Sequence, residues 1–212
     1  MTDFLRSVVL AVAAGAALTA LAPAATADSG TEVFPGMEIR QGSTVCTLGF
    51  VDPVARIAFS AGHCRGDGRV TDRTGRFIGV VSVARDNTPD GTIVRTDQVI
   101  SDYQTITLAS DVTISTVLPG GRRLVVDPGA QIAPGQPICH FGVVSRKGDS
   151  GGPVYTLADN GTAVIAGLFN STWGDLPAAV SWQSTSQQAQ ADTVAAGTIV
   201  DVAATDTQPS TN

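Results

Sequence analysis

The chain has 212 residues, 19 acidic against 13 basic side chains, a formal charge of −6 and three cysteines. That length supports one or two small domains with a real core. The acidic balance and the lack of a basic cluster argue against nucleic acid or an anionic membrane as partner, and ordinary solubility accounts for the charge itself.

The N-terminus reads as an export signal over residues 1–27. Arg6 supplies a short basic region, an apolar run extends from Val8 to Leu21, and Ala25-Thr26-Ala27 offers small residues for cleavage after Ala27. The run is short and rich in alanine, which disfavours a retained membrane anchor. Export implies an extracellular, oxidising setting in which a disulfide persists.

After Asp28, Val, Thr and Gly dominate and no long helical period appears. Strand-like runs are expected at Thr44–Val51, Arg56–Ser60, Arg76–Ala84, Tyr103–Leu108, Val112–Val117, Ile138–Val144, Val154–Leu157 and Ala163–Asn170. Asp67-Gly68, Pro89-Asp90-Gly91, Pro119-Gly120-Gly121 and Asn160-Gly161 mark turns between them. The last of these predicts a hairpin. Short strands at this spacing predict an all-β sandwich or barrel. Residues 183–212, rich in Ser, Thr, Gln and Ala, read as a polar tail that is disordered over Thr205–Asn212. There is no internal repeat.

The chemistry is concentrated in Gly148-Asp149-Ser150-Gly151-Gly152-Pro153. Glycines around a serine permit a sharp turn that exposes its hydroxyl. The same turn can aim the N–H groups of Gly148 and Ser150 at one point, where an oxyanion would form. A plain tight loop is the competing reading. A serine hydroxyl needs a base, and the chain has only two histidines, His63 and His140, both before Ser150. That order excludes the α/β-hydrolase arrangement, in which the histidine follows the serine. A subtilisin order would require Asp52, which sits in a Val-Asp-Pro turn. His, then Asp, then Ser remains.

Asp102 opens the alternating strand Asp102–Leu108 and is the preferred partner for the other ring nitrogen of His63. Asp90 competes, but its Pro-Asp-Gly setting is an ordinary turn.

Ala61-Gly62-His63-Cys64, Cys46-Thr47-Leu48-Gly49-Phe50 and the run from Gly148 to Pro153 resemble chymotrypsin-like serine proteases, most closely the secreted actinobacterial streptogrisin and α-lytic protease type. The likeness spans Gly36 to Trp173. It implies an all-β fold of two packed six-stranded Greek-key barrels: residues 28–120 carrying His63 and Asp102, and a shortened second barrel over 121–182 carrying Ser150. It also implies a disulfide between Cys46 and Cys64, worth about 3 kcal/mol in the chain-entropy model. Cys139 then has no partner, and is either a small buried residue or an intermolecular thiol.

The resemblance further implies that Asp149, beside the nucleophile, needs a cation. Bacterial relatives use an arginine where this chain has His140. A protonated His140 pairing with Asp149 is one expectation; a strand histidine satisfied by backbone or water is the other. Val144, Lys147, Ser171 and Trp173 fall at positions matching the substrate-binding region, and Val144 disfavours an Arg or Lys preference. Few residues separate Gly142 from Gly148, so the second barrel departs from the family where the specificity pocket is walled. The implied activity is a monomeric endopeptidase acting on polypeptide without metal or organic cofactor. A non-catalytic binding module and a serine esterase are the alternatives.

Overall fold

A computed structural model describes residues 30–89, 95, 97–142, 148–173 and 176–205. The expected export signal, residues 1–27, lies outside them. Strands β1 (Glu32–Val33), β2 (Glu38–Gln41), β3 (Thr44–Thr47), β4 (Phe50–Asp52), β5 (Ile57–Ser60), β6 (Arg69–Asp72), β7 (Phe77–Asp86) and β8 (Asp102–Leu108) come first, and all but β1 form one sheet in the order β3-β2-β6-β7-β8-β5-β4.

β3 and β4 lie at opposite ends of that path, yet only Leu48 and Gly49 separate them. Two residues reach no more than about 10 Å between the flanking strands. The sheet must therefore curl until its edges meet, making a barrel in which β3 and β4 are halves of one bent strand. The bend needs glycine: a Cβ on Gly49 would lie 2.3 Å from the carbonyl oxygen of Gly151. Inside sit Val33, Ile39, Leu48, Val51, Val70, Ile78 and Ile106.

The remaining strands are β9 (Thr113–Ile114), β10 (Leu124–Val125), β11 (Cys139–His140), β12 (Pro153–Leu157), β13 (Ala163–Trp173) and β14 (Leu176–Ser181). β9 pairs in parallel with β1. The rest form a second sheet in the order β10-β13-β12-β11, with β14 also on β13. The all-β, two-barrel expectation holds. The second sheet is an open half-barrel, and the expected strand Ile138–Val144 reduces, among the described residues, to Cys139–His140. The hairpin at Asn160-Gly161 is present between β12 and β13, with Gly161 at φ 79°.

One expectation is corrected. Residues 183–205, which read as part of a polar tail, belong with Trp182 to helix α1 (Trp182–Thr205). The rest of the stretch expected to be disordered, 206–212, lies outside the described residues. The first turn of α1 is capped by Ser181, whose hydroxyl accepts the N–H of Ser184. The buried face presents Trp182, Thr185 and Ala189, so only one large apolar residue marks it. Trp182 packs against Phe50 and Phe59 of the first barrel, with ring centroids 4.8 and 5.0 Å away. It shares a core cluster with Leu168 and Val180 of the second sheet, and so pins the helix start to both. Cys46 and Cys64 form the expected disulfide, closing the segment that carries His63.

Candidate active site

The register of the first barrel brings His63 to Asp102. β5 pairs antiparallel with β8, with Ser60 opposite Gln104. Carried on two residues, that register sets position 62 against Asp102. There the chain leaves the ladder in a single 3-10 turn, Gly62–Cys64. Gly62 is required by the close approach, since a Cβ would fall 1.9 Å from the carbonyl oxygen of Arg85.

The turn aims both the backbone and the ring of His63 at one carboxylate. The His63 N–H donates to Asp102 Oδ1 at 2.8 Å, and Nδ1 lies 2.8 Å from Oδ2. A carboxylate oxygen accepts, so this bond places a ring proton on Nδ1. Asp102 is 0% exposed, while the His63 side chain is 35% exposed. The pair is thus dry at one end and open at the other. Asp90 lies outside the described residues.

Asn170, which begins the stretch Asn170–Gly174 resembling a substrate-pairing edge strand, is also a partner of Asp102 that the sequence does not identify as such. Its Nδ2–H donates to Asp102 Oδ2, the oxygen that faces His63. The residue ends the apolar run Ala163–Phe169, and a polar amide at that point is the available sign.

Ser150 is held against the first barrel from its backbone. Thr47 N–H donates to the Ser150 carbonyl at 2.9 Å, and Thr47 Oγ1 donates to the Gly148 carbonyl at 2.6 Å. Ser60 Oγ in turn donates to the Thr47 carbonyl. Cys64 Sγ, next to His63, lies 3.8 Å from the same Ser150 carbonyl oxygen. Gly151 follows at φ 83° and donates to the Phe169 carbonyl at 2.7 Å. Any Cβ there would meet Ser60 Oγ at 2.1 Å. The N–H groups of Gly148 and Ser150 have no acceptor among the described residues.

Asp149, buried under this turn, faces His140 with Oδ2 and Nε2 3.6 Å apart. The imidazole also stacks on Phe169 at 4.7 Å. His140 thus lies within ion-pair range of Asp149, at a distance too long for a direct hydrogen bond. Gly142 makes room for the carboxylate: a Cβ would lie 2.1 Å from Asp149 Oδ1.

A cleft of about 560 Å³ opens beside His63, with Arg65, Arg85, Asn87 and Ser101 in its walls. Beyond Phe169, whose backbone still bonds Gly151 and Gly152, β13 is paired only with β14 among the described residues, with half-buried Ser171 on that stretch. Val144, Lys147 and the side chain of Trp173 lie outside the described residues. Cys139 is a half-buried free thiol on β11, opposite Tyr155. Burial, and secondarily Cys139, pushes the Tyr155 phenol up. Among the described residues no three His, Cys, Asp or Glu side chains are grouped to hold a metal ion, and no helix is long and apolar enough to cross a membrane.

The chain matches no family model. It is 50% identical over 212 residues to "Uncharacterized protein Rv1815" of Mycobacterium tuberculosis strain H37Rv, covering 88% of this chain and 96% of that protein. "Uncharacterized protein MT1863" of strain CDC 1551 matches equally, at 50% identity over the same shares. Among solved structures, Thermobifida fusca protease A superposes with a TM-score of 0.50 at 18% identity, over 68% of this chain and 86% of that one. An α-lytic protease homologue, N4, gives 0.43 at 22% identity, over 67% and 86%. The first of these supports the two-barrel, chymotrypsin-like fold.

Proposed function

The chain belongs to the family of the Mycobacterium tuberculosis protein Rv1815, and we propose that it is an exported serine endopeptidase. The observation that supports this most is the His63–Asp102 pair, 2.8 Å apart, beside a glycine turn whose Ser150 carbonyl is anchored to the same barrel.

In this reading Ser150 Oγ attacks a peptide carbonyl as His63 Nε2 takes its proton. Asp102 keeps the Nδ1 proton in place and stabilises the imidazolium. The N–H groups of Gly148 and Ser150 receive the negative oxygen of the tetrahedral intermediate. His63 then delivers its proton to the leaving amine, and water hydrolyses the acyl-enzyme by the same steps in reverse. An extended polypeptide adds to the open edge of Asn170–Trp173 as an extra strand, with Val144 and Lys147 contributing to the side-chain pocket. His140 and Asp149 hold the turn in shape from below. The protein works as a monomer outside the cell, without metal or cofactor.

A second reading, a secreted binding module, is favoured by one feature. The open second sheet, the 126–138 loop and α1 border a groove of about 1540 Å³. Incubating mature protein and its Ser150→Ala variant with a peptide library separates the readings. Cleavage by the wild type alone supports the endopeptidase; cleavage of ester but not peptide substrates assigns an esterase on this scaffold. No turnover of either leaves the binding module.

A further inference from the structure

Resting on the hydrolase reading, we propose that helix α1 is a positioning element for Asp102, gripping the strand on both sides of that carboxylate through Asp192 and Gln188. Asp102 sits at the first residue of β8, where the ladder begins. Past it the backbone pairing continues by a single bond, from the Asn87 N–H to the Ser101 carbonyl, so this end of the strand is held less firmly than its middle. Contacts from outside the ladder decide how sharply such a side chain is placed.

Besides the Asn170 amide and the His63 N–H on the carboxylate itself, two such contacts reach the flanking residues from the helix. On one side of Asp102, the Ser101 hydroxyl donates to Gln188 Oε1 at 2.5 Å. On the other, the hydroxyl of wholly buried Tyr103 donates to Asp192 Oδ2. Gln188 and Asp192 are four residues apart and so share a helix face. Arg85, opposite Tyr103 in the β7–β8 register, gives Nε and Nη2 to the two Asp192 oxygens. One carboxylate of α1 thereby ties β7 and β8 together, and its neighbour one turn earlier holds the residue before Asp102. On the barrel side, Asn87 Oδ1 accepts the Ser101 N–H. The start of the helix is held by Trp182, which packs against both Phe50 and Phe59. Gln188 and Asp192 make these bonds to Ser101, Tyr103 and Arg85, so their effect on the site passes through strand placement.

The test uses full-length mature protein and three variants, Asp192→Asn, Tyr103→Phe and Gln188→Ala. Each is read by kcat and KM on an ester substrate, by the pH profile of kcat/KM, and by the proton NMR signal of His63 Nδ1. Displacement of a catalytic group by about 1 Å can cost about 100-fold. Asp192→Asn is expected to lower kcat roughly 10- to 100-fold with KM nearly unchanged, to shift the His63 limb of the pH profile, and to weaken the Nδ1 signal. Asp192→Glu should restore part of each. Gln188→Ala, a milder change that removes no charge, keeps the test open if Asp192→Asn fails to fold. Variants that are folded by near-UV circular dichroism yet keep wild-type kcat, pH profile and Nδ1 signal overturn the proposal. The NMR signal does not require turnover. An inactive wild type whose Nδ1 signal weakens in the variants would sink the hydrolase reading and leave the positioning role standing.

Discussion

Asn170 donates to the same Asp102 oxygen that faces His63, so one buried carboxylate atom is shared between an amide from the second sheet and an imidazole from the first. The amide helps fix the carboxylate against which His63 is oriented. A hydrogen bond to a charged group contributes about 1.5–3 kcal/mol. Asn170→Ala should therefore lower kcat/KM roughly 10- to 100-fold, mostly through kcat. Asn170→Asp should do worse, because a second carboxylate there opposes the charge of Asp102. Steady-state kinetics check both; an unaltered kcat in Asn170→Ala would contradict the assigned role.

The His140–Asp149 contact predicts a role for the imidazole in shaping the Ser150 turn. Nε2 lies 3.6 Å from Asp149 Oδ2, and the ring stacks on Phe169 at 4.7 Å. His140→Ala removes both contacts and should lower kcat, with His140→Phe restoring only the part that stacking supplies. Steady-state kinetics check this; an unchanged kcat in His140→Ala would remove the link.

Gly142 offers a steric test of the same turn. An alanine methyl would enter the space of Asp149 Oδ1, 2.1 Å away, and either carboxylate or backbone must move. Overpacking of this kind costs about 1–3 kcal/mol. Gly142→Ala should lower the unfolding midpoint and the rate of reaction at Ser150. Gly129→Ala is the control, because its methyl would find only Asp127 Oδ1 at 3.4 Å. Equal behaviour of the two variants in thermal unfolding would rule out crowding against Asp149 as the cause.

Much of the first barrel is legible in the sequence because its signals are local. Alternation marks Asp102–Leu108, and in the second sheet Asn160-Gly161 announces its hairpin. The Cys46–Cys64 bridge follows from likeness to a family rather than from spacing. Strands Glu38–Gln41 and Arg69–Asp72 escape a sequence reading because each is four residues long and has a single apolar residue, Ile39 or Val70. Helix α1 escapes it for a related reason. Its inward face uses Thr185, Ala189 and the acidic Asp192, the last bound by hydrogen bonds that hydropathy does not register. The same blindness hides Asn170. Polar residues that work through a partner distant in sequence leave no periodic trace.

The Asp192 cluster predicts how stability varies with pH. Bonds from Arg85 and, secondarily, Tyr103 hold the Asp192 carboxyl below its ordinary value. A lowered folded value means the contribution is present above about pH 4 and is lost as pH falls further. Burial, then the bond to Asp192, pushes the Tyr103 phenol up. That contribution is complete below about pH 10 and fades as pH rises beyond it. Asp192→Asn should cost about 1–2 kcal/mol near neutrality and flatten the acid side of the curve. Thermal unfolding from about pH 3 to 11 provides the measurement; parallel curves for variant and wild type would contradict it.

The central claim, that Ser150 is a nucleophile served by His63, is tested most directly by a fluorophosphonate probe followed by mass spectrometry of the labelled peptide. One adduct should form, on Ser150, absent from Ser150→Ala and slowed at least about 100-fold in His63→Ala. Failure to label at any pH, or an adduct on a different residue, would contradict that claim.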